Sequence, residues 1–520
     1  MIPVLGSAAM RAADAEAIRG GTPSDELMEN AAAALVRAVR RELPEGRVAV
    51  LCGPGQNGGD GLAAARLLAL AGHRVSLFSL ISPGAYRGDA ARNAERAASV
   101  GLAARPLTSP GAWSELRRAL AESDAAVDAL FGTGLSRPLE GAARRAVLAL
   151  NASGRQVFAA DLPSGLRADR GEATAPVVRA SRTVAFGAPK PCHVLPPATD
   201  FCGEVEVADI GIPRSALERR AARLGWTEEA DVLALLPPRK VEANKGNFGR
   251  LAILAGSRGK AGAAVLAARG ALRAGAGLVT VLCAESIAGA LWTALPEAMT
   301  QPLPEEDGAI AASAAAEISR ALRGFDAAVV GPGLTTSPGA AAAVEAALRA
   351  SIPLVADADA LNAFARRPAG FSRRRAATIL TPHPGEAGRL LGRSAREVQA
   401  DRLGAVRSLA RRARAVVLLK GARTLVGDPG GEVAVNPTGT PLLATAGAGD
   451  VLSGIVGALL AGGLGAREAA IAAAWLHGAA GQALAVRLGD AGLLSHEVAD
   501  AVPGVRRRLR TRAGGAKGSE

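Results

Sequence analysis

Apolar residues change their period several times along the chain, and each change predicts an element. From 8 to 41 they recur at helical spacing, with Met10, Ala13, Ala17 and Ile18 on one face and an Ala/Val-rich run ending at Arg40 and Arg41, which predicts helices. Arg47 to Cys52 is a short continuous apolar run, glycines crowd Gly53 to Gly61, a helical pattern follows over Leu62 to Ala71, and Arg74 to Leu80 reads as the next strand. That alternation predicts a βαβ unit and a parallel sheet. Further strands are expected at 125–130, 156–160, 183–186 and 204–207.

A stretch of mixed charge at 212–245, containing Trp226 and the pair Pro237-Pro238, reads as a linker. The alternation then resumes. Strands at 250–255, 278–282, 327–330, 353–356, 378–380 and 415–421 are separated by helical runs, and 424–427 and 433–435 read as short antiparallel strands. The run Leu442 to Leu464 is long enough to raise the question of a membrane. Its glycines, the carboxylate of Asp450 in its middle and the lack of aromatic or basic flanks favour a buried globular helix.

Composition narrows the function classes. With 520 residues, 49% of them hydrophobic, the chain can bury at least two large cores and is not disordered. The net charge of +13 is carried mostly by Arg, partly in the tail from Arg506 to Arg512. Few aromatics and no reading module argue against nucleic acid, leaving an anionic small substrate or a solvated Arg-rich surface. Cys52, Cys192, Cys202 and Cys283 lie far apart, and the histidines do not group with them, so neither zinc nor a disulfide framework is indicated and a reducing cytosol is expected. The apolar start, Met1 to Gly6, is too short for a secretion signal.

Candidate chemistry sits at strand ends, where ligands of open α/β sheets gather. The first half offers Gln56-Asn-Gly-Gly-Asp60, Asp128 with Gly132-Thr-Gly134, and Asp161 with Ser164; three such loops should converge. Taken singly, Asp128 and Ser164 are also ordinary turn residues. The second half offers Asn244-Lys-Gly, Gly256-Ser with Gly262, Gly331-Pro-Gly333, Asp357-Ala-Asp359-Ala-Leu-Asn362, Thr381-Pro-His-Pro-Gly-Glu386, Lys420-Gly421 and Thr440 with Gly447-Ala-Gly-Asp450. Lys245 and Lys260 are either site groups or solvated charges, and His383 is either a site group or a turn histidine. The last motif delivers Asp450 to the start of a helix, where unpaired N–H groups cradle a developing anion. There it is either a general base or a helix cap.

With Leu27-Met-Glu-Asn-Ala added, the motifs of residues 1–215 resemble the NAD(P)H-hydrate epimerase family, and the seven ordered motifs of residues 240–505 resemble the ADP- or ATP-dependent NAD(P)H-hydrate dehydratase family, a branch of the ribokinase-like fold. The resemblance implies an α/β protein of two domains. These are an N-terminal Rossmann-like three-layer parallel sheet domain at 1–215 and a C-terminal ribokinase-like α/β domain at 240–511, with a linker at 216–239 and a disordered tail at 512–520. It implies R/S epimerisation of hydrated NADH and NADPH by the first domain and ADP-dependent dehydration of the S form by the second, releasing AMP and phosphate.

By the same resemblance Gln56, Asn57, Gly58, Gly59, Asp60 and the run Gly132, Thr133, Gly134, Leu135, Ser136, Arg137, Pro138 would contact the hydrate, with Asp161 as a catalytic group. Asn57, Asp128 and Ser164 would hold a potassium ion; oxygen-only ligands suit such a hard cation. Gln56 stands where the family commonly has Asn. In the second domain Gly333, His383, Pro384, Gly385, Glu386, Ala387, Gly388 and Arg389 would contact the hydrate, with Asp450 as the base. Lys420, Gly421, Ala422, Arg423, Thr424, Thr440, Gly447, Ala448 and Gly449 would hold ADP, with magnesium on its phosphates. A cytoplasmic homo-oligomer without nucleic-acid or membrane partners is expected. The rivals are a sugar or vitamin kinase, which should lack the first domain, and a first domain that binds without catalysing.

Overall fold

The run Val48 to Cys52 is apolar at every position because both faces of its strand are covered. Val48, Val50 and Cys52 pack into one core with helices α1 (Ser7–Arg19), α2 (Ser24–Glu42), α3 (Gln56–Leu70) and α4 (Gly88–Ser99), while Ala49 and Leu51 point the other way, into a core shared with α5 (Pro110–Glu122) and α6 (Gly141–Ala152). Continuous apolar strands are what a parallel sheet between two helical layers requires. A computed structural model describes residues 1–173, 176–220, 223–236, 238–365 and 368–515. It divides into two units, Ile2–Leu224 and Gly225–Glu520.

The first unit has strands β1 (Arg47–Cys52), β2 (Arg74–Ser79), β3 (Arg105–Pro106), β4 (Ala125–Ala129), β5 (Gln156–Ala160), β6 (Arg182–Phe186) and β7 (Glu204–Ala208), in the order β3-β2-β1-β4-β5-β6-β7. Every pairing is parallel. The order reverses between β1 and β4, the crevice where ligands of such sheets bind. One expectation changes here. The glycines after β1 do not form a long loop, since α3 already begins at Gln56. They are required by close packing instead: a Cβ on Gly58 would lie 1.9 Å from the Gly53 carbonyl oxygen.

In the second unit the strands are β8 (Arg250–Leu254), β9 (Leu278–Ala284), β10 (Met299–Leu303), β11 (Ala327–Val330), β12 (Leu354–Ala356), β13 (Thr378–Leu380), β14 (Val416–Leu419), β15 (Leu425–Gly427) and β16 (Val433–Val435), in the order β16-β15-β14-β13-β12-β11-β8-β9-β10. Pairing is parallel from β14 to β10 and antiparallel for β15 and β16. The edge strand β10 was not legible in the sequence, because only Leu303 of its five residues is buried. The order reverses between β8 and β11, again marking a crevice. Helices of this unit include α7 (Ala261–Ala274), α8 (Pro384–Leu391), α9 (Ala448–Ala461), α10 (Ala466–Leu488) and α11 (Ser495–Gly515). The helices α7 and α9 cross with their backbones nearly touching, since a Cβ on Gly454 would lie 1.9 Å from the Ala267 carbonyl oxygen.

The segment expected as a linker is largely regular structure: a helix at Arg214–Arg220, a strand at Leu224–Trp226 and a helix at Glu229–Leu235. Its mixed charge hid Ala216, Leu217, Val232 and Leu236, all buried; Pro237 lies outside the described residues. Similarly α11 runs through 512–515, inside the expected tail, and 516–520 lie outside the described residues. The helix α9 has 14 residues, too few for the roughly 20 that a membrane span needs. Among the described residues α10 alone is long and apolar enough, and 72% of its most apolar window is buried in the protein.

Candidate active sites

At the first reversal point the ends of β1, β4 and β5 surround a cavity of about 500 Å³. Gln56, Asn57 and Asp60 reach it from the first turns of α3, Gly132, Thr133, Gly134 and Leu135 from the loop after β4, and Asp161 from the end of β5. The convergence expected from the sequence is therefore present. Gly58 and Gly59 pack inward instead, Gly59 against Met28. Ser136, Arg137 and Pro138 are exposed farther along their loop.

Asp128 and Ser164 join two of these loops from below. The Ser164 amide and hydroxyl both donate to the Asp128 carboxylate, each at 2.7 Å, and the Phe131 amide donates to the Ser164 hydroxyl at 2.9 Å. Asp128 also accepts from the Leu130 amide at 3.2 Å, so its turn-forming role is real but is one of three. Complete burial pushes its carboxyl up to about 6, against the pull of those hydrogen bonds. The amide nitrogen of Asn57 is buried without a partner, and among the described residues its oxygen accepts no hydrogen bond.

Asp161 has φ of 64°, a left-handed conformation that costs a non-glycine residue about 1–3 kcal/mol. Surrounding contacts hold it there: its carboxylate accepts from the Phe186 amide at 3.1 Å and from the ammonium of Lys190. Lys190 is 1% exposed and also donates to the Phe186 carbonyl at 2.8 Å. Sequence reasoning missed Lys190. The signal available was its rarity, in a stretch, Ala188 to Val194, that is otherwise apolar or uncharged. Asp60 is buried, and its carboxyl is raised well above the usual range, first by burial and then by Asp161 and Asp14.

The second site lies at the start of α9. Gly447 turns the chain with φ of 88°, a conformation glycine adopts without strain. No side chain caps this helix, and among the described residues the Asp450 carboxylate accepts no hydrogen bond. The cap reading of Asp450 therefore finds no support. Burial pushes its carboxyl up to about 7, with Asp357 adding to the push and Lys420 opposing it. The Lys420 ammonium bonds Asp357 at 2.9 Å, lies 3.8 Å from Glu386, and would be 3.4 Å from a Cβ on Gly449. Burial favours the neutral amine, but Asp357 and Glu386 outweigh it and hold the ammonium above its ordinary range.

His383 is the N-cap of α8: its Nδ1 accepts from the Gly385 amide at 3.0 Å while Glu386 accepts from the His383 amide at 2.8 Å. It is thus a capping residue beside the site, and burial lowers its imidazole below the usual range. Arg389 donates to Asn362 at 3.0 Å, and Asn362 donates to Asp359 at 3.2 Å, so α8 and the Asp357–Asn362 segment are tied together. Ala387 and Gly388 are buried. Gly333 lies beside Lys260, its carbonyl accepting from Ser257 at 2.7 Å. In the remaining nucleotide motif, Gly421 and Ala422 are exposed, Thr424 donates to the Gly421 carbonyl at 3.0 Å, and Arg423 donates to the Pro437 carbonyl at 2.6 Å. Thr440 accepts from the Leu442 amide at 3.4 Å, and Ala448, at the first turn of α9, takes a 3.0 Å hydrogen bond from His477. Arg402 was also missed; its buried guanidinium fixes the end of β14 through the Leu419 and Lys420 carbonyls.

Two family models match these halves separately: that described as YjeF-related protein N-terminus over residues 24–192, and that described as NAD(P)H-hydrate dehydratase over residues 251–504. The Bifunctional NAD(P)H-hydrate repair enzyme Nnr of Moorella thermoacetica is 40% identical over 94% of this chain and 93% of its own length. The chain belongs to the bifunctional NAD(P)H-hydrate repair enzyme family. The Escherichia coli enzyme of the same name is 35% identical over 91% of this chain and 88% of its own. Among solved structures, the ADP/ATP-dependent NAD(P)H-hydrate dehydratase of Bacillus subtilis, co-crystallised with ATP and Mg2+, is 33% identical, covers 56% of this chain and all of its own, and gives a TM-score of 0.49. Membership in the repair family makes the chain an enzyme with an isomerase half and a lyase half. It also removes the kinase rival, which would leave residues 24–192 unexplained.

Proposed function

We propose that residues 1–215 interconvert the R and S hydrates of NADH and NADPH, and that residues 240–511 dehydrate the S form at the expense of ADP. The observation that carries the second half is Asp450. An unpartnered carboxyl raised to about 7, in the first turn of an uncapped helix, is poised near neutral pH to accept a proton.

In this reading Asp450 takes the proton from the C6 hydroxyl of the hydrate. The resulting alkoxide attacks the terminal phosphoryl of ADP, whose developing charge is met by the free amides at the start of α9 and by Lys420. The C6 phosphate leaves far more readily than hydroxide, so elimination restores the reduced nicotinamide ring with AMP and phosphate as the other products. Among the described residues no group of three or more His, Cys, Asp or Glu side chains is arranged to hold a metal. Magnesium carried on the nucleotide's phosphates needs no such cage, and supplies charge neutralisation there.

In the first half the oxygens of Asn57, Asp128 and Ser164 fit a potassium ion. All three are oxygen donors, the Asn57 oxygen has no partner among the described residues, and a cation would offset the burial of the Asp128 charge. The ion's contribution would be to fix the loops after β4 and β5 relative to α3. All four cysteines are free and buried, which supports a cytoplasmic site of action.

The decisive assay follows absorbance at the reduced-nicotinamide band from mixed hydrate epimers, with ADP and then with ATP. Recovery to completion with ADP is expected. No recovery with either nucleotide, accompanied by phosphorylation of an added alcohol, would overturn the reading. With Asp128→Ala the S fraction should convert at the normal rate and the remainder only at the spontaneous rate of epimerisation. A progress curve identical to wild type would remove the ion assignment.

A further inference from the structure

Helix α1 brings to the first cavity a carboxyl that belongs to none of the sequence motifs and has no part in the ion site. Asp14 lines that cavity together with Met10, Arg11 and Ile18 of the same helix. Among the described residues it has no hydrogen-bond or ion-pair partner. The other ionisable groups around the cavity are Asp60 and Asp89 on the α3 and α4 side and Asp161 with Lys190 at the sheet edge. Of these, Asp161 is bound to Lys190 and Asp89 to Arg92; Asp60 and Asp14 both lack a partner among the described residues, but Asp60 is buried whereas Asp14 is half-buried and open to a ligand.

Epimerisation at C6 needs two proton-transferring groups. The carbon bears both the hydroxyl and the ring nitrogen, so inversion can proceed through a planar cation. The nitrogen lone pair forms an N1=C6 double bond as the C6–O bond breaks, and its electrons leave on oxygen. An acid must protonate that oxygen so that it departs as water. A second water must then add to the other face, returning the lone pair to nitrogen and giving its extra proton to a base. One water leaves and one enters, with no oxidant or reductant.

We propose that Asp14 is a further catalytic residue of the epimerase half, the acid that protonates the departing C6 hydroxyl, while Asp161 is the base that takes the proton from the incoming water. In the reverse direction the two exchange roles. This assignment rests on the epimerase function proposed for residues 1–215. The two environments suit it. Asp161 pairs as a carboxylate with the Lys190 ammonium, whereas burial pushes Asp14 up to about 6, against the pull of Lys190 and with a further push from Asp161. Two carboxyls in such unlike environments are the arrangement that acid–base pairs use. The carboxylates around the cavity also favour the cationic intermediate.

The test uses the full-length protein and chiral separation of the hydrate epimers. Asp14→Asn should lower epimerisation on the order of 100-fold, leave ADP-dependent conversion of the pure S hydrate unchanged, and not lower Tm; Asp14→Glu should recover part of the rate. In water enriched in oxygen-18, each wild-type epimerisation should place one solvent oxygen at C6. Wild-type rate in Asp14→Asn, a loss that only follows a fall in Tm, or epimerisation without label would overturn the proposal while leaving the epimerase reading intact. Failure of the wild type itself to epimerise would instead remove that reading.

Discussion

Both sites gather near the carboxyl ends of parallel strands, and each sets one lysine among several carboxylates, but the lysines are engaged differently. Lys190 bonds Asp161 itself, the group assigned to chemistry. Lys420 bonds Asp357 and leaves Asp450 without a partner. The consequence is a division of labour by geometry: an ion pair where the lysine is attached, a carboxyl titrating near neutrality where it is not. Which neighbour the lysine chooses, more than how many acids surround it, decides which carboxyl is held as an ion pair and which is left to titrate nearer neutrality.

The largest effects should come from removing the lysines. Lys190→Met and Lys420→Met each leave a buried carboxylate unpaired, which costs about 3–5 kcal/mol, read as a lower denaturant midpoint. Pairing each with its neutral partner, Asp161→Asn or Asp357→Asn, should recover much of that loss. Lys420→Met should also move the titration of Asp450 upward from about 7, since Lys420 lowers it. An unchanged pH profile in that variant would break the comparison.

Next in size is Asp450→Asn, expected to cut dehydration of the S hydrate on the order of 100-fold while epimerisation continues. The wild-type rate should rise with pH and level off above about 7, because the base acts ionised. Stability should move in the opposite sense. A carboxyl raised in the fold from 3.8 to about 7 contributes most below pH 4, and that contribution is lost as pH climbs toward 7. Asp450→Asn should therefore have a higher Tm than wild type at pH 8. A lower one would show that the carboxylate is stabilised by something other than its ordinary surroundings.

A smaller effect separates the two sites by their scaffolds. Gly454→Ala forces α7 and α9 apart and should cost about 1–3 kcal/mol, lowering dehydration with little change in epimerisation. The smallest concerns a third lysine. Lys260 is 52% exposed and 3.9 Å from Asp359, so Lys260→Ala should alter stability by less than about 0.5 kcal/mol. A loss comparable to that from Lys420→Met would mean that exposure is a poor guide to which lysines matter here.

The sequence by itself determined the two α/β halves, most of the strands, and the motifs that carry Asn57, Asp60, Asp128, Asp161 and Asp450. These are written locally, as an apolar run, then glycine, then a helical period, and a parallel sheet brings such strand ends together by its topology alone. What it misread was also local in cause. The glycines of Gly58 and Gly59 looked like a loop because crowding between a helix and its neighbours leaves the same trace as flexibility. The charged surface of 216–239 concealed the few apolar residues that anchor it. Only the tertiary structure decided that Lys190 meets Asp161, that Lys420 meets Asp357 rather than Asp450, and that Asp14, on a helix face shared with Met10 and Ala17, opens into a cavity. Those facts depend on burial and on contacts between residues tens to more than a hundred positions apart, and burial is what moves a carboxyl from an ordinary acid to one that titrates near neutrality.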